Sequence, residues 1–183
     1  MLFRSIQTFS LPAVYEYVSL PKLDADAFLT ARIAGWEDLS LTPGSANIYF
    51  DGAYVGESYI NPFETGDTLT LSLGRDKKIV VKREKLKEFS STKLFGGNKE
   101  RTFTFEISVR NTKKEALTIV LLDQVPLSQD KEIEVKVLEL SEGIKDDETG
   151  KVAWNLALQP NETKKVRLSY SVKYPKNKSV AGL

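Results

Sequence analysis

Phe103, Phe105, Ile107 and Val109 occupy every second position of one stretch, with Thr104, Glu106 and Ser108 between them. Val152, Trp154, Leu156 and Leu158 repeat the pattern, and so do Val166, Leu168, Tyr170, Val172 and Tyr174. Successive side chains of a strand leave opposite faces of the sheet, so each segment has one apolar and one wet side. A helix, turning about 100° per residue, would scatter the same residues around its circumference. The period therefore dictates strands, and it limits the chain to folds built from stacked or closed sheets.

Turn chemistry separates these strands. Asn111–Glu115 follows the first, Asp146–Gly150 precedes the Trp154 segment, and Gln159-Pro160-Asn161-Glu162 follows it. Pro fixes φ, Asn and Gly accept positive φ, and Asp bonds its own backbone. With one more strand around Ile133, Val135 and Val137, residues 98–176 read as an immunoglobulin-like antiparallel β-sandwich. Residues 1–97 read as an irregular β-rich domain packed on it, with strands at 14–20, 28–34, 69–73 and 79–85. Within it, Asp51-Gly52 between Ala46–Phe50 and Ala53–Gly56 marks a two-residue hairpin turn. The stretch 89–99, with Gly96-Gly97, reads as a flexible linker between the halves, and 177–183 as a frayed tail. No helix is expected beyond a turn or two at 82–89. The fold class is all-β.

The chain is 183 residues long with 41% apolar residues, enough to bury a core without covalent staples. It contains neither Cys nor His, which removes thiol and imidazole nucleophile systems, zinc sites and iron–sulfur clusters. Lys and Arg number 26 against 25 Asp and Glu, so no net field favours nucleic acid or an anionic membrane. No apolar run approaches the about 20 residues of a membrane span, and Arg4 and Gln7 interrupt the opening too early for a signal-peptide core.

The remaining chemistry is sparse. Ser-x-x-Lys, a nucleophile motif when one helical turn lays Lys over Ser, occurs at Ser19–Lys22, Ser90–Lys93 and Ser128–Lys131. Pro21 forbids that turn in the first, and the others fall in loops. Asp24 with Asp26, and Asp146 with Asp147 and Glu148, lack calcium-loop spacing and read as a solvated connection and a turn cap. Lys77, Lys78, Lys82, Arg83, Lys85 and Lys87 read as a solvated strand face. No metal or cofactor is expected. Trp154, in phase with Val152, is expected in the core; Trp36, Tyr49, Tyr54 and Tyr59 are the aromatics a ligand would meet if exposed.

An ordered series of short segments carries a resemblance: Pro21–Leu29, Trp36, Pro43-Gly44, Ala46–Gly56, Leu71–Asp76, Asp123–Ser128, Gly150–Trp154 and Tyr170–Pro175. Together they resemble the C-terminal domain of mucoidy inhibitor A-like bacterial proteins. The resemblance implies a domain without assigned activity, cofactor or catalytic residue, in an often exported parent that carries an N-terminal β domain and a coiled coil. Its family name ties it to exopolysaccharide production. The expectation is a non-catalytic structural or protein-interaction module of the periplasm or cell envelope. Its partner would be another protein or the rest of its parent. The alternative is a carbohydrate-binding module that stacks polysaccharide on Trp36, Tyr49, Tyr54 and Tyr59.

Overall fold

A computed structural model describes residues 7–63 and 68–178. The strands are β1 (Ala13–Leu20), β2 (Asp24–Ala34), β3 (Gly44–Phe50), β4 (Ala53–Ile60), β5 (Thr68–Arg75), β6 (Ile79–Lys85) and β7 (Thr92–Phe95). They continue as β8 (Asn98–Asn111), β9 (Leu117–Gln124), β10 (Glu134–Glu139), β11 (Ile144–Lys145), β12 (Lys151–Leu158) and β13 (Thr163–Pro175). Helix among the described residues is limited to single 3-10 turns at Glu37–Leu39 and Lys87–Phe89. The protein is all-β.

The chain forms two compact units, one of Met1–Tyr17 with Phe28–Arg75 and one of Val18–Ala27 with Asp76–Leu183. In the first, Phe28–Ala34 of β2 pairs antiparallel with β5, and Thr30 Oγ1 donates to the Glu16 carbonyl at 2.9 Å. The β3–β4 hairpin forms a separate two-stranded sheet. Ala31, Trp36, Ile48 and Leu69 are the buried apolar side chains of this first unit.

In the second unit, β8 and β13 run antiparallel from Thr163↔Arg110 to Pro175↔Asn98. β10 lies outside β13, while β6 and β7 line the other edge of β8. The second sheet pairs β12 with β9 from Lys151↔Gln124 to Leu158↔Leu117, and β11 flanks β12. The alternation legible in the sequence is the burial pattern: Ile107 and Val109, Ile119 and Leu121, Val152 and Leu158, Leu168 and Val172 are sealed from solvent. Each such side chain contributes about 1.5–3 kcal/mol by leaving water. Trp154 is core as its phase requires, and its indole donates to the Leu140 carbonyl at 2.5 Å. Gly143 leaves the space for that ring, because a Cβ there would lie 2.4 Å from the indole nitrogen.

Three expectations need correction. The division falls at Arg75/Asp76 and not at 97/98, because β6 and β7 both hydrogen-bond to β8. Gly96-Gly97 is consequently the tight turn of the β7–β8 hairpin, with Gly96 at φ 50°, and not a linker. Of the expected tail, 179–183 lies outside the described residues, but Lys178 is held: its ammonium meets Asp130 at 2.7 Å and Glu132 at 2.5 Å.

Candidate functional site

The β3–β4 turn supplies the local geometry of the most conspicuous surface. Asp51 and Gly52 both take positive φ, 48° and 76°, the conformation that joins twisted strands through two residues. Beyond it the register reads Tyr49↔Tyr54, then Ile48↔Gly56, Asn47↔Glu57 and Ser45↔Tyr59. Val55 has no opposite number; it is a β-bulge. Without it, Tyr54 and Tyr59, an odd number of positions apart, would leave opposite faces of β4. One extra residue inverts the parity of a strand, so Tyr49, Tyr54 and Tyr59 share a face with Ser45, Asn47 and Glu57. All three rings are exposed, at 65%, 57% and 66%. Tyr49 and Tyr54 meet edge-on, centroids 5.5 Å apart and planes at 61°. Ile48, by contrast, is buried on the other face.

Trp36 does not join them. It is 5% exposed and part of the first unit's core, with its indole N–H buried and without an acceptor among the described residues. A ring packed on all sides has no face to offer a ligand, so the four-aromatic set reduces to three.

The other sequence candidates are accounted for by structural bonds. Ser19 donates to the Asp26 carbonyl, Ser90 to the Leu86 carbonyl and Ser128 to the Asp130 carbonyl, so none of the Ser-x-x-Lys serines is presented to its lysine. Asp24 and Asp26 lie within β2, not in a solvated connection, and Asp26 binds Lys77 at 2.6 Å. Asp146 caps the turn before β12: the Thr149 and Glu148 N–H groups hold its carboxyl below the usual carboxylate range. The cations of the basic run are dispersed, Lys82 to Glu84, Arg83 to Asp123 and Lys85 over the Phe103 ring. Among the described residues no group of three or more acidic side chains converges to hold a metal. No described helix is long and apolar enough to cross a membrane.

A second feature lies inside the second unit and was not foreseen. A half-open groove of about 900 Å³ lies beside the β9–β10 connection, with Phe105, Tyr170, Val172, Val135, Arg83 and Lys22 in its lining. Arg83 stacks over Phe105 at 3.7 Å while its Nε and Nη2 donate to the fully buried Asp123 at 2.7 and 3.4 Å. Burial pushes the Tyr170 phenol above its ordinary pKa, with Arg83 opposing.

Fold and surface together define a two-unit all-β chain with an aromatic hairpin face in the first unit and a lined groove in the second. The chain belongs to a family described as a domain of unknown function, DUF4139, which matches residues 3–176. It is also 26% identical over 149 residues to "Protein F37C4.5" of Caenorhabditis elegans, a match covering 79% of this chain and 26% of that protein. The chain thus spans about a quarter of that relative's length. No solved structure matches it.

Proposed function

We propose that this chain is a non-catalytic protein-interaction module that binds through the outer face of the β3–β4 hairpin. The observation that carries the reading is the gathering of Tyr49, Tyr54 and Tyr59, each more than half exposed, on one face by a bulge. Tyrosine offers large contact area at small entropic cost and is enriched where proteins meet. The bulge at Val55 gathers three large rings on the wet side, where they add nothing to the core. The partner is another protein or the remainder of the parent. The setting that goes with this reading is the periplasm or envelope, with exopolysaccharide production as the process served.

The same tyrosines support the alternative, a polysaccharide ligand, less well. Sugar rings stack on flat platforms, and the 61° between Tyr49 and Tyr54 leaves one ring edge-on.

A photo-crosslinking residue at Asn47, on the same face, placed in the parent protein in its own host, identifies the partner. Affinity for that purified partner is then measured for the chain and for a Tyr49→Ala, Tyr54→Ala, Tyr59→Ala variant. A loss of at least about 30-fold is expected from central aromatic anchors. Unchanged affinity sinks the reading, and saturable polysaccharide binding lost in the same variant transfers the face to sugars.

A further inference from the structure

We infer that the groove of the second unit is a binding site for a carboxylic acid with a bulky apolar body. The inference is independent of the hairpin face.

Its volume of about 900 Å³ falls within the range of small-molecule sites, about 300–1,000 Å³. Phe105, Tyr170, Val172 and Val135 offer apolar and aromatic surface to the body of a ligand. What points to an acidic head group is the set of Arg83, Lys22 and the Tyr170 hydroxyl in one lining, beside the polar side chains of Gln124, Ser128, Gln129 and Thr149. Tyr170 is only 9% exposed, yet its hydroxyl bonds to no described residue. That hydroxyl is absent from the sealed, unpartnered polar atoms, where Trp36 Nε1 stands alone, so its accessible surface is the groove. Arg83 spends Nε and Nη2 on Asp123, which leaves Nη1 unbonded at the same wall. Lys22, an exposed lysine of the lining, forms no ion pair among the described residues.

The acids nearby are already engaged. Asp123 takes Arg83 and the Gln124 N–H, and Asp130 takes Lys178 and the Glu132 N–H. A phenol O–H, a guanidinium edge and an ammonium thus line one groove beside apolar side chains, and of the three only the guanidinium has a carboxylate partner, Asp123. A carboxylate supplies two oxygens with several lone pairs to such a set, and charge-assisted bonds are the strong ones. A neutral apolar ligand would bury the donors unmet, at a cost its body does not recover.

The test uses the full chain with 2-naphthoate, decanoate and the uncharged 2-naphthalenemethanol, titrated by calorimetry and by amide chemical-shift mapping. Saturable one-to-one binding of either acid is expected, with shifts at Arg83, Phe105 and Val172; which acid binds tells whether the body is aromatic or aliphatic. The alcohol should bind at least about tenfold more weakly. Tyr170→Phe keeps the ring and removes only the hydroxyl, and Lys22→Ala changes an exposed side chain. Each should weaken the acid about three- to tenfold and leave the alcohol unaffected. If Tyr170→Phe disturbs the fold, Lys22→Ala alone decides. No saturable binding of either acid overturns the assignment, as does equal affinity for the alcohol or undiminished acid binding by both variants.

Discussion

Asp123 sits on β9 with its side chain wholly out of solvent, and Arg83 answers it from β6 with a side chain only 17% exposed. Two further bonds complete the arrangement, the Gln124 N–H to Oδ1 and the Phe105 ring under the guanidinium. The pair joins the two sheets of the second unit, and its worth lies in being complete. Taking both charges out of water costs several kcal/mol per ion, so the pair adds little over an apolar replacement, whereas removing one partner strands the other. Asp123→Ala is therefore expected to destabilise the second unit by about 3–5 kcal/mol, and the double change Asp123→Leu with Arg83→Met by far less. Urea unfolding of the two variants checks this; an equal or larger loss in the double variant would mean that no stranded charge causes the loss in the single one. Neither residue announced this role in the sequence, where Arg83 was one cation of a run and Asp123 one residue of a strand. Trp154 was legible because its neighbours alternate and fix its face. Trp36 was not, because no period runs through the segment around it.

Among the elements, the β3–β4 hairpin shows best what a sequence discloses and what it withholds. Asp51-Gly52 names the turn, and the strands follow from it. The face of each tyrosine does not follow, because it depends on a bulge at Val55 that alternation alone does not reveal. Its seat is on another strand: a Cβ added at Gly74 of β5, whose φ is +101°, would lie 3.0 Å from Val55 Cγ1. Gly74 thus accommodates the bulged side chain while holding a conformation that side chains avoid. Gly74→Ala is expected to cost about 1–3 kcal/mol from the backbone alone and to push Val55 away. The hairpin then loses the register that groups its tyrosines. Two readouts follow this change: the unfolding midpoint of the first unit and the nuclear Overhauser contact between the Tyr49 and Tyr54 rings. A variant with both unaltered would show that the bulge is held by the hairpin itself.

At the scale of the molecule, the chain does not divide where its composition shifts. Gly96-Gly97 looks like a joint, yet the strands before it complete the sheet after it. β6 covers one edge of β8 from Ile79↔Asn111 to Lys85↔Phe105, and its Ile79 and Val81 are buried in the same core. The unit further takes Val18–Ala27 from far upstream, where Ser19 donates to the Asp26 carbonyl and Lys77 binds Asp26. Sequence patterns report local pairing well and long-range membership poorly, since a strand's own residues do not say which distant edge they will satisfy. A fragment of residues 98–176, the sandwich its sequence outlines, lacks both pieces. It would leave the Phe105–Asn111 edge of β8 bare, with unpaired backbone donors beside a core missing two apolar walls. Such a fragment is expected to unfold without a cooperative transition and to bind an apolar dye, whereas the full chain melts cooperatively. Rejoining Asp76–Gly97 should restore the β8 edge but not the place of Val18–Ala27, so partial recovery separates the two contributions. A fragment 98–176 with dispersed amide resonances and a sharp melt would show that β8 and β13 with the β9–β12 sheet suffice alone.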